Sequence, residues 1–538
     1  MDGKDLPGRL RNAYKVRVRH WQNDQKIKRM AEAVAQNAPQ PSQAPIVFFN
    51  ASTRLSGLSL NAGFSLVSAW SLQLQGVPVV HFICKAGLTH CVLGTNRQDL
   101  SKSPPCKECI RQSKAVYHNA NQSWFDYQAD QALLEKLVDL NLRELSEFVY
   151  QGVPLGRLCI ASMRWILRRH NLVDNEVTRQ LYREYICSGW SVKQQFEQLL
   201  YEHSPQSVVV FNGLQYPEAV ARWVAEQRGL TVYSYEVGLR PFSAFFTSGD
   251  ATAYPMAIPE SFELSETQNQ QLNEYLSNRF RGNFSMAGIK FWPEMTKLDD
   301  EFEALSSQFE HFVPIFTNVI FDTSQPHANV LFTDMFEWLD QVLEVIKQHP
   351  KTLFIIRAHP DESRPGKASE ESVAEWALSR KIGAIKNIKF VGPDEFFSSY
   401  EMIKRAKFVM IYNSTIGLES SILGVPVLCA GRARFTQLET VYFPGSRDAY
   451  YEQLNRLLNE EKVSFPEIHR TNSRRFLYYQ LFRSSLSFEP FLEEDHIWQG
   501  YVRLRGFNWV DLLPENSKTL HTISEGLLGN GQFLLEAD

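Results

Sequence analysis

Short β-rich runs alternate with amphipathic stretches along most of the chain. IVFFNAS (46–52) reads as a strand ending in small polar residues, 62–74 as a helix and VPVVHFIC (77–84) as a buried strand. A helical region over 131–150 follows. SVVVFNG (207–213), a helix over 217–228 and LTVYSYE (230–236) then form a further β-α-β unit. The alternation lapses between residues 259 and 310, where Gln, Asn, Ser and Glu are frequent, so a domain junction is expected there. It resumes with strands at 313–322, 352–360, 388–393, 408–414 and 425–431, separated by helices over 332–348, 370–380, 397–405 and 416–423. Strands alternating with helices predict parallel sheets covered on both faces.

The expected architecture is α/β, with two doubly wound Rossmann-like domains facing a cleft. Four segments are expected: a basic helix and linker (1–44), an N-terminal domain (45–300), a C-terminal domain (301–465), and a helical tail packing back across both (466–538). Ligands of open α/β sheets bind beyond the carboxyl ends of the strands, so chemistry is sought just after each apolar run. Asn318 follows the first strand of the second domain, with Asp322 and His327 beyond it. Arg357 and His359 follow the next, Asn413, Ser414 and Thr415 lead into a helix carrying Glu419, and Arg432 and Arg434 follow the last strand. Hydroxyls at a helix start suit a phosphate, although Asn, Ser and Thr are also ordinary N-caps. A histidine leaving a buried strand can donate to an anionic oxygen, and its near-neutral pKa lets it become cationic. Glu419 lies about one turn into its helix, where a carboxylate can accept from ribose hydroxyls.

Composition narrows the class. The chain has 538 residues, 44% apolar and 22% charged, and 56 basic against 60 acidic side chains give a net charge of −4. An ordinary globular enzyme fits, and no global basic field marks a nucleic-acid binder. Basic residues are nonetheless dense between positions 8 and 30, with Leu10, Tyr14, Val18 and Trp21 at helical spacing. Such a run is ordinarily a solvated helix face, the alternative being peripheral docking of residues 8–30 on an anionic inner-membrane surface. Without an apolar stretch of signal-peptide or membrane-spanning length, the protein is expected in the cytoplasm, on the cytoplasmic face of the membrane where it associates.

Seven cysteines are too few for a disulfide scaffold, but Cys84, Cys91, Cys106 and Cys109 fall in a C-x6-C-x14-C-x2-C pattern. Four thiolates are the ligand set of a structural zinc ion, with His90 as a substitute ligand; the alternative is that Cys84 is simply buried at its strand end.

The run R-A-H-P-D-E (357–362), followed by N-S-T-I-G-L-E-S-S-I-L-G-V-P-V (413–427), resembles the His-Pro and Ser/Thr motifs of the bacterial capsule polysaccharide synthesis family. That family includes transferases of the sugar acid Kdo, and its motifs are similar to those of bacterial sialyltransferases of the GT-B fold. P-I-F-T-N-V-I-F-D (314–322) resembles the opening of the C-terminal domain in such proteins. The resemblance spans residues 313 to 434. It implies a metal-independent glycosyltransferase of cell-envelope polysaccharide assembly, with a nucleotide-sugar donor in the second domain and a glycan or glycolipid acceptor in the first. A CMP-linked sugar acid such as Kdo is the favoured donor, with a UDP-sugar as the other choice. By motif position His359 contacts the donor phosphate, Ser414 and Thr415 bind it, and Glu419 faces the ribose.

An inverting reaction needs a base from the first domain. Glu236, at the end of its strand, is the first choice, ahead of His81 and His90, and Asn212 and Gly213 at a neighbouring strand end shape the cleft. A sugar-nucleotide epimerase, a polyol-phosphate transferase and a non-catalytic scaffold are the competing readings.

Overall fold

The computed structural model describes residues 6–51, 57–280, 296–364, 367–497, 500–529 and 531–536, with side chains from residue 14 onward. Its strands are β1 (Ile46–Asn50), β2 (Leu58–Ser59), β3 (Val79–Cys84), β4 (Asn121–Phe125), β5 (Ser207–Phe211), β6 (Thr231–Val237) and β7 (Ser243–Ser248) in the first half. The second half adds β8 (His311–Phe316), β9 (Thr352–Arg357), β10 (Ile388–Val391), β11 (Val409–Ile411), β12 (Val427–Cys429), β13 (Leu486–Ser487), β14 (Leu492–Glu494) and β15 (Tyr501–Leu504).

Two sheets dominate. In the first, β4-β3-β1-β5-β6 are parallel, and β7 and β13 extend the β6 edge antiparallel. In the second, β10-β9-β8-β11-β12 are all parallel. Numbered within its own domain, each parallel set runs 3-2-1-4-5. Strand order therefore reverses beside β1 and β5 in one sheet and beside β8 and β11 in the other, which opens a crevice at their carboxyl ends. β1, β9 and β11 are buried along their whole length, as sheets covered on both faces require.

Helices on both sides of the junction expected at 300/301 share one apolar cluster. Leu272, Leu276, Leu298 and Phe302 are buried in one cluster with Phe312, Leu353 and Met402 of the second sheet's domain. The helices Glu266–Phe280 and Asp300–Ser306 thus pack against the second sheet's domain through a few apolar positions on otherwise polar helices.

The tail is not wholly helical. After the helix Glu467–Tyr478, which packs in the second domain's core, β13 pairs with β7 of the first sheet. β14 and β15 form a small sheet with β2, and the helix Lys518–Leu528 closes over the first domain. These strands are two to four residues long, too short to show period-two alternation.

The basic segment is the helix Leu6–Asn37. Its packed face is His20, Asn23, Asp24, Ile27, Ala31 and Val34, not the expected apolar stripe. Tyr14 and Trp21 remain 70% and 61% exposed, and Leu10 lies outside the described side chains. No helix among the described residues is long and apolar enough to cross a membrane.

Candidate active site

Glu236 at the first sheet's carboxyl edge feels the charges of Asp322 and Arg434 of the second domain. Thr252, just beyond β7, hydrogen-bonds His327 of the second domain at 2.7 Å, and Gln437 bridges Met256 N–H at 2.9 Å and Tyr254 C=O at 3.0 Å. On the opposite flank the Glu371 carboxylate accepts from the backbone N–H groups of His170 and Asn171 at 2.8 and 2.9 Å. Asp250, held by His327, Thr252 and Arg222, is kept charged down to about 2 despite burial.

At the second sheet's switch point, Asn318 Oδ1 accepts from the Asn413 N–H at 3.3 Å, and Asn413 Oδ1 accepts from Gln325 at 3.2 Å. These amides tie the ends of β8 and β11. Ser414 is half-buried and Thr415 exposed. Thr415 occupies the cap position of the helix Ile416–Ile422 in a helical conformation and its side chain makes no capping bond, so the ordinary-cap alternative does not describe it.

His359 Nδ1 accepts from the Asp361 N–H at 3.1 Å, which leaves the proton on Nε2. Burial lowers its pKa, while Asp361 and Asp322 oppose that shift. The imidazole therefore offers Nε2–H as a hydrogen-bond donor. Arg357 is buried at the end of β9; Nη1 donates to Gly392 C=O at 2.6 Å, and Nε and Nη2 have no hydrogen-bond partner among the described residues. Burial pushes this guanidinium down to about 10.

Glu236 sits at the first sheet's edge. Its carboxylate accepts from Asn212, which adopts φ 62° after β5, and from the Val237 N–H at 3.2 Å. Burial raises its pKa; Asn212, Val237 and the charge of Arg434 oppose this, and Asp322 reinforces it. Asp322 thus acts electrostatically on both Glu236 and His359, groups from different domains. Arg434 lies 3.8 Å above the Tyr254 ring, while Arg432 is exposed.

Two sequence expectations change. Glu419 does not face an open pocket: Arg279 and Tyr400 take its two carboxylate oxygens, as burial of a charge at 4% exposure demands. His81 is a core residue, its Nδ1 3.1 Å from Asn50 Nδ2 and its pKa driven to about 3 by burial. His90 Nε2 is 2.8 Å from Leu100 C=O and Nδ1 lies 4.0 Å from Glu184.

A cationic cluster escaped the sequence reading. Arg168 ends its helix in the left-handed conformation and stacks on Trp165 and Phe321 at 4.7 and 4.6 Å. Burial, with repulsion from Arg97 and Arg364, pulls it down to about 9. Lys367 is depressed by burial, Arg364 and Arg168, and feels Asp361 and Asp322 in the opposite sense. Arg364 and Lys367 stand five and eight residues past His359, so the loop after the His-Pro motif was the available signal; Arg97 and Arg168 reach the site only through tertiary structure.

Cys84, Cys91, Cys106 and Cys109 line one cavity beside Ala51 and Leu88. No three His, Cys, Asp or Glu side chains among the described residues are grouped to hold a single ion.

No protein-family model matches the chain, and no curated protein matches it in sequence. Among solved structures it is similar to Thermosulfurimonas dismutans KpsC, a beta Kdo 2,4 transferase, at 14% identity over 50% of this chain and 79% of that one, with a TM-score of 0.35. It is also similar to the Methanocaldococcus jannaschii UDP-GlcNAc 2-epimerase in complex with UDP-GlcNAc and UDP, at 12% identity over 80% and 98%, TM-score 0.26. A third is S. aureus MnaA with UDP, at 11% identity over 80% and 91%, TM-score 0.23.

Proposed function

We propose that the protein is a glycosyltransferase that moves a sugar from a nucleotide-sugar donor, with a CMP-linked sugar acid such as Kdo favoured, to a glycan or glycolipid acceptor of the bacterial surface. The observation that carries this reading is that Glu236 and His359, one from each domain, both feel the charge of the same Asp322, with Arg434 acting on Glu236 and Arg357 and Arg364 on His359. In this reading Glu236 takes the proton of the acceptor hydroxyl as it attacks the anomeric carbon. The His359 Nε2–H and the Ser414 and Thr415 hydroxyls donate to the departing phosphate, and preorganised donors of this kind stabilise charge as it develops. Asn318, Asn413 and Arg357 hold the strand ends that carry them.

A CMP-linked sugar acid carries two anionic groups, the phosphate and the carboxylate. Arg168, which feels Arg97 and Arg364, and Lys367, which feels Arg364 and Arg168, form a cationic cluster that suits a ligand with more than one anionic group. The exposed Tyr14 and Trp21, with Lys15 and Arg17 between them, support docking of the first helix on the cytoplasmic face of the membrane.

Calorimetric titration of CMP, UDP, GDP and CDP, repeated on His359→Ala and Ser414→Ala, tests the reading. Selective CMP binding weakened in both variants is expected. Selective UDP binding with epimerisation of the donor sugar would favour an epimerase, and no nucleotide binding would favour a scaffold.

A further inference from the structure

Arg168 reaches from the first domain to the second. It follows the helix Leu155–Leu167, in the left-handed conformation that ends it, and is only 5% exposed. Its guanidinium lies 4.7 Å from the Trp165 ring of its own helix and 4.6 Å from the ring of Phe321, which follows β8 in the second domain. Aromatic rings meet the charge of a guanidinium but accept no hydrogen bond in its plane, where its fork fits carboxylate or phosphate. The backbone here is fixed across the domain boundary. Arg168 C=O accepts from the Glu370 N–H at 2.9 Å and Arg169 Nη2 donates to Glu370 C=O at 2.8 Å, while the Glu371 carboxylate holds the next two N–H groups.

The second domain adds two further cations. Arg364 and Lys367 stand on the loop that leaves β9 through His359, and Arg364 pairs with Asp361 at 3.1 Å. Asp361 is also the residue whose N–H fixes His359 Nδ1. Phe321, in turn, precedes Asp322, whose charge reaches both His359 and Lys367. The cations are thus tied to the surroundings of the imidazole, through residues other than Ser414 and Thr415. Burial, Arg97 and Arg364 lower Arg168; burial, Arg364 and Arg168 lower Lys367, against Asp361 and Asp322. An oxyanion among such like charges relieves their repulsion and favours the charged forms.

We infer that Arg168, Arg364 and Lys367 form a second oxyanion subsite beside the donor-phosphate site, and that Arg168 is the first domain's contribution to substrate selection. The inference rests on the reading of His359, Ser414 and Thr415 as the donor-phosphate site. The ligand then carries a carboxylate or phosphate besides the one that the nucleotide brings to those residues. Its source is either the carboxylate of a donor sugar acid or an anionic group on the acceptor. Since both domains build the subsite, it is complete only while residues 168–171 rest on 370–371.

The test is calorimetric titration of the full chain with free Kdo as a carboxylate probe and glycerol phosphate as a phosphate-monoester probe, each with and without saturating CMP. At least one probe should bind the wild type. It should bind Arg168→Gln and Lys367→Gln about tenfold more weakly or worse, as loss of hydrogen bonds to a charged group implies. Arg157→Gln, which removes an exposed charge from the preceding helix, should bind it as the wild type does. Lys367 is only half-buried, so its variant decides should Arg168→Gln fail to fold. Kdo binding that CMP strengthens assigns the subsite to the donor sugar, and glycerol phosphate binding indifferent to CMP assigns it to the acceptor. A chain that binds CMP but neither probe, or binds the probes equally well in wild type and both variants, would overturn the inference and leave the donor reading standing. Probe binding lost in both variants of a chain that binds no nucleotide would overturn the donor reading and leave the subsite.

Discussion

Glu419 and Arg279 form a buried ion pair across 140 residues of chain, with Arg279 Nε donating to the carboxylate at 2.8 Å. The pair joins the helix Glu266–Phe280 to the helix Ile416–Ile422, directly behind Ser414 and Thr415. Removing one partner leaves an uncompensated buried charge, which costs about 3–5 kcal/mol, whereas apolar replacement of both is often near neutral. Arg279→Met should therefore lower the unfolding free energy by about that amount in urea titrations. Arg279→Met/Glu419→Leu should regain most of it, and a single variant within about 1 kcal/mol of wild type would mean that the pair contributes little.

His359 offers Nε2–H because the Asp361 backbone fixes Nδ1 as acceptor. Loss of one donor to a developing oxyanion typically costs about 10²–10³ in kcat. His359→Ala should show that loss in transfer rate with its melting temperature close to wild type. Full activity in the variant would remove the imidazole from the chemistry.

Glu236 acts as a base only when ionised, and burial raises its pKa. The acidic limb of kcat/KM should therefore lie above the range of an ordinary glutamate, whose pKa is about 4.3. Asn212 favours the charged form, so Asn212→Ala should move the limb further up, and Glu236→Gln should abolish both limb and turnover. Stability follows the same sign. A carboxyl raised on folding binds its proton more tightly in the native state, so its stabilising contribution is lost as pH rises through the native pKa. Glu236→Gln should gain stability relative to wild type as pH rises above the ordinary glutamate value of about 4.3, as urea midpoints across pH would report.

Most strands were legible because buried parallel strands are continuous apolar runs, and β1, β3, β5, β8 and β9 all read that way. Residues placed by a strand end were legible too, His359 and Asn413 among them. β4, NQSWF, was not, because its polar residues sit at a partly exposed edge. Glu419 was misread for a different reason: its partner lies 140 residues away, and local spacing carries no trace of Arg279. Arg168 is hidden likewise, since only the meeting of Trp165 with Phe321 brings it to the cleft.

The first helix makes its own prediction. With His20, Asn23, Asp24, Ile27, Ala31 and Val34 turned inward, Tyr14 and Trp21, two turns apart, point outward with Lys15 and Arg17 between them. Aromatic rings at headgroup depth flanked by basic residues bind anionic surfaces, each basic residue near the surface contributing about 1 kcal/mol. Neutralising Lys15 and Arg17 should weaken partitioning onto phosphatidylglycerol-containing vesicles by roughly thirtyfold, the equivalent of about 2 kcal/mol. Trp21→Ser should weaken it independently of salt, because that term is apolar burial, while the basic term should fade as ionic strength shortens the Debye length. Sedimentation no greater with anionic or neutral vesicles than without vesicles would show that the exposed face serves solvent alone.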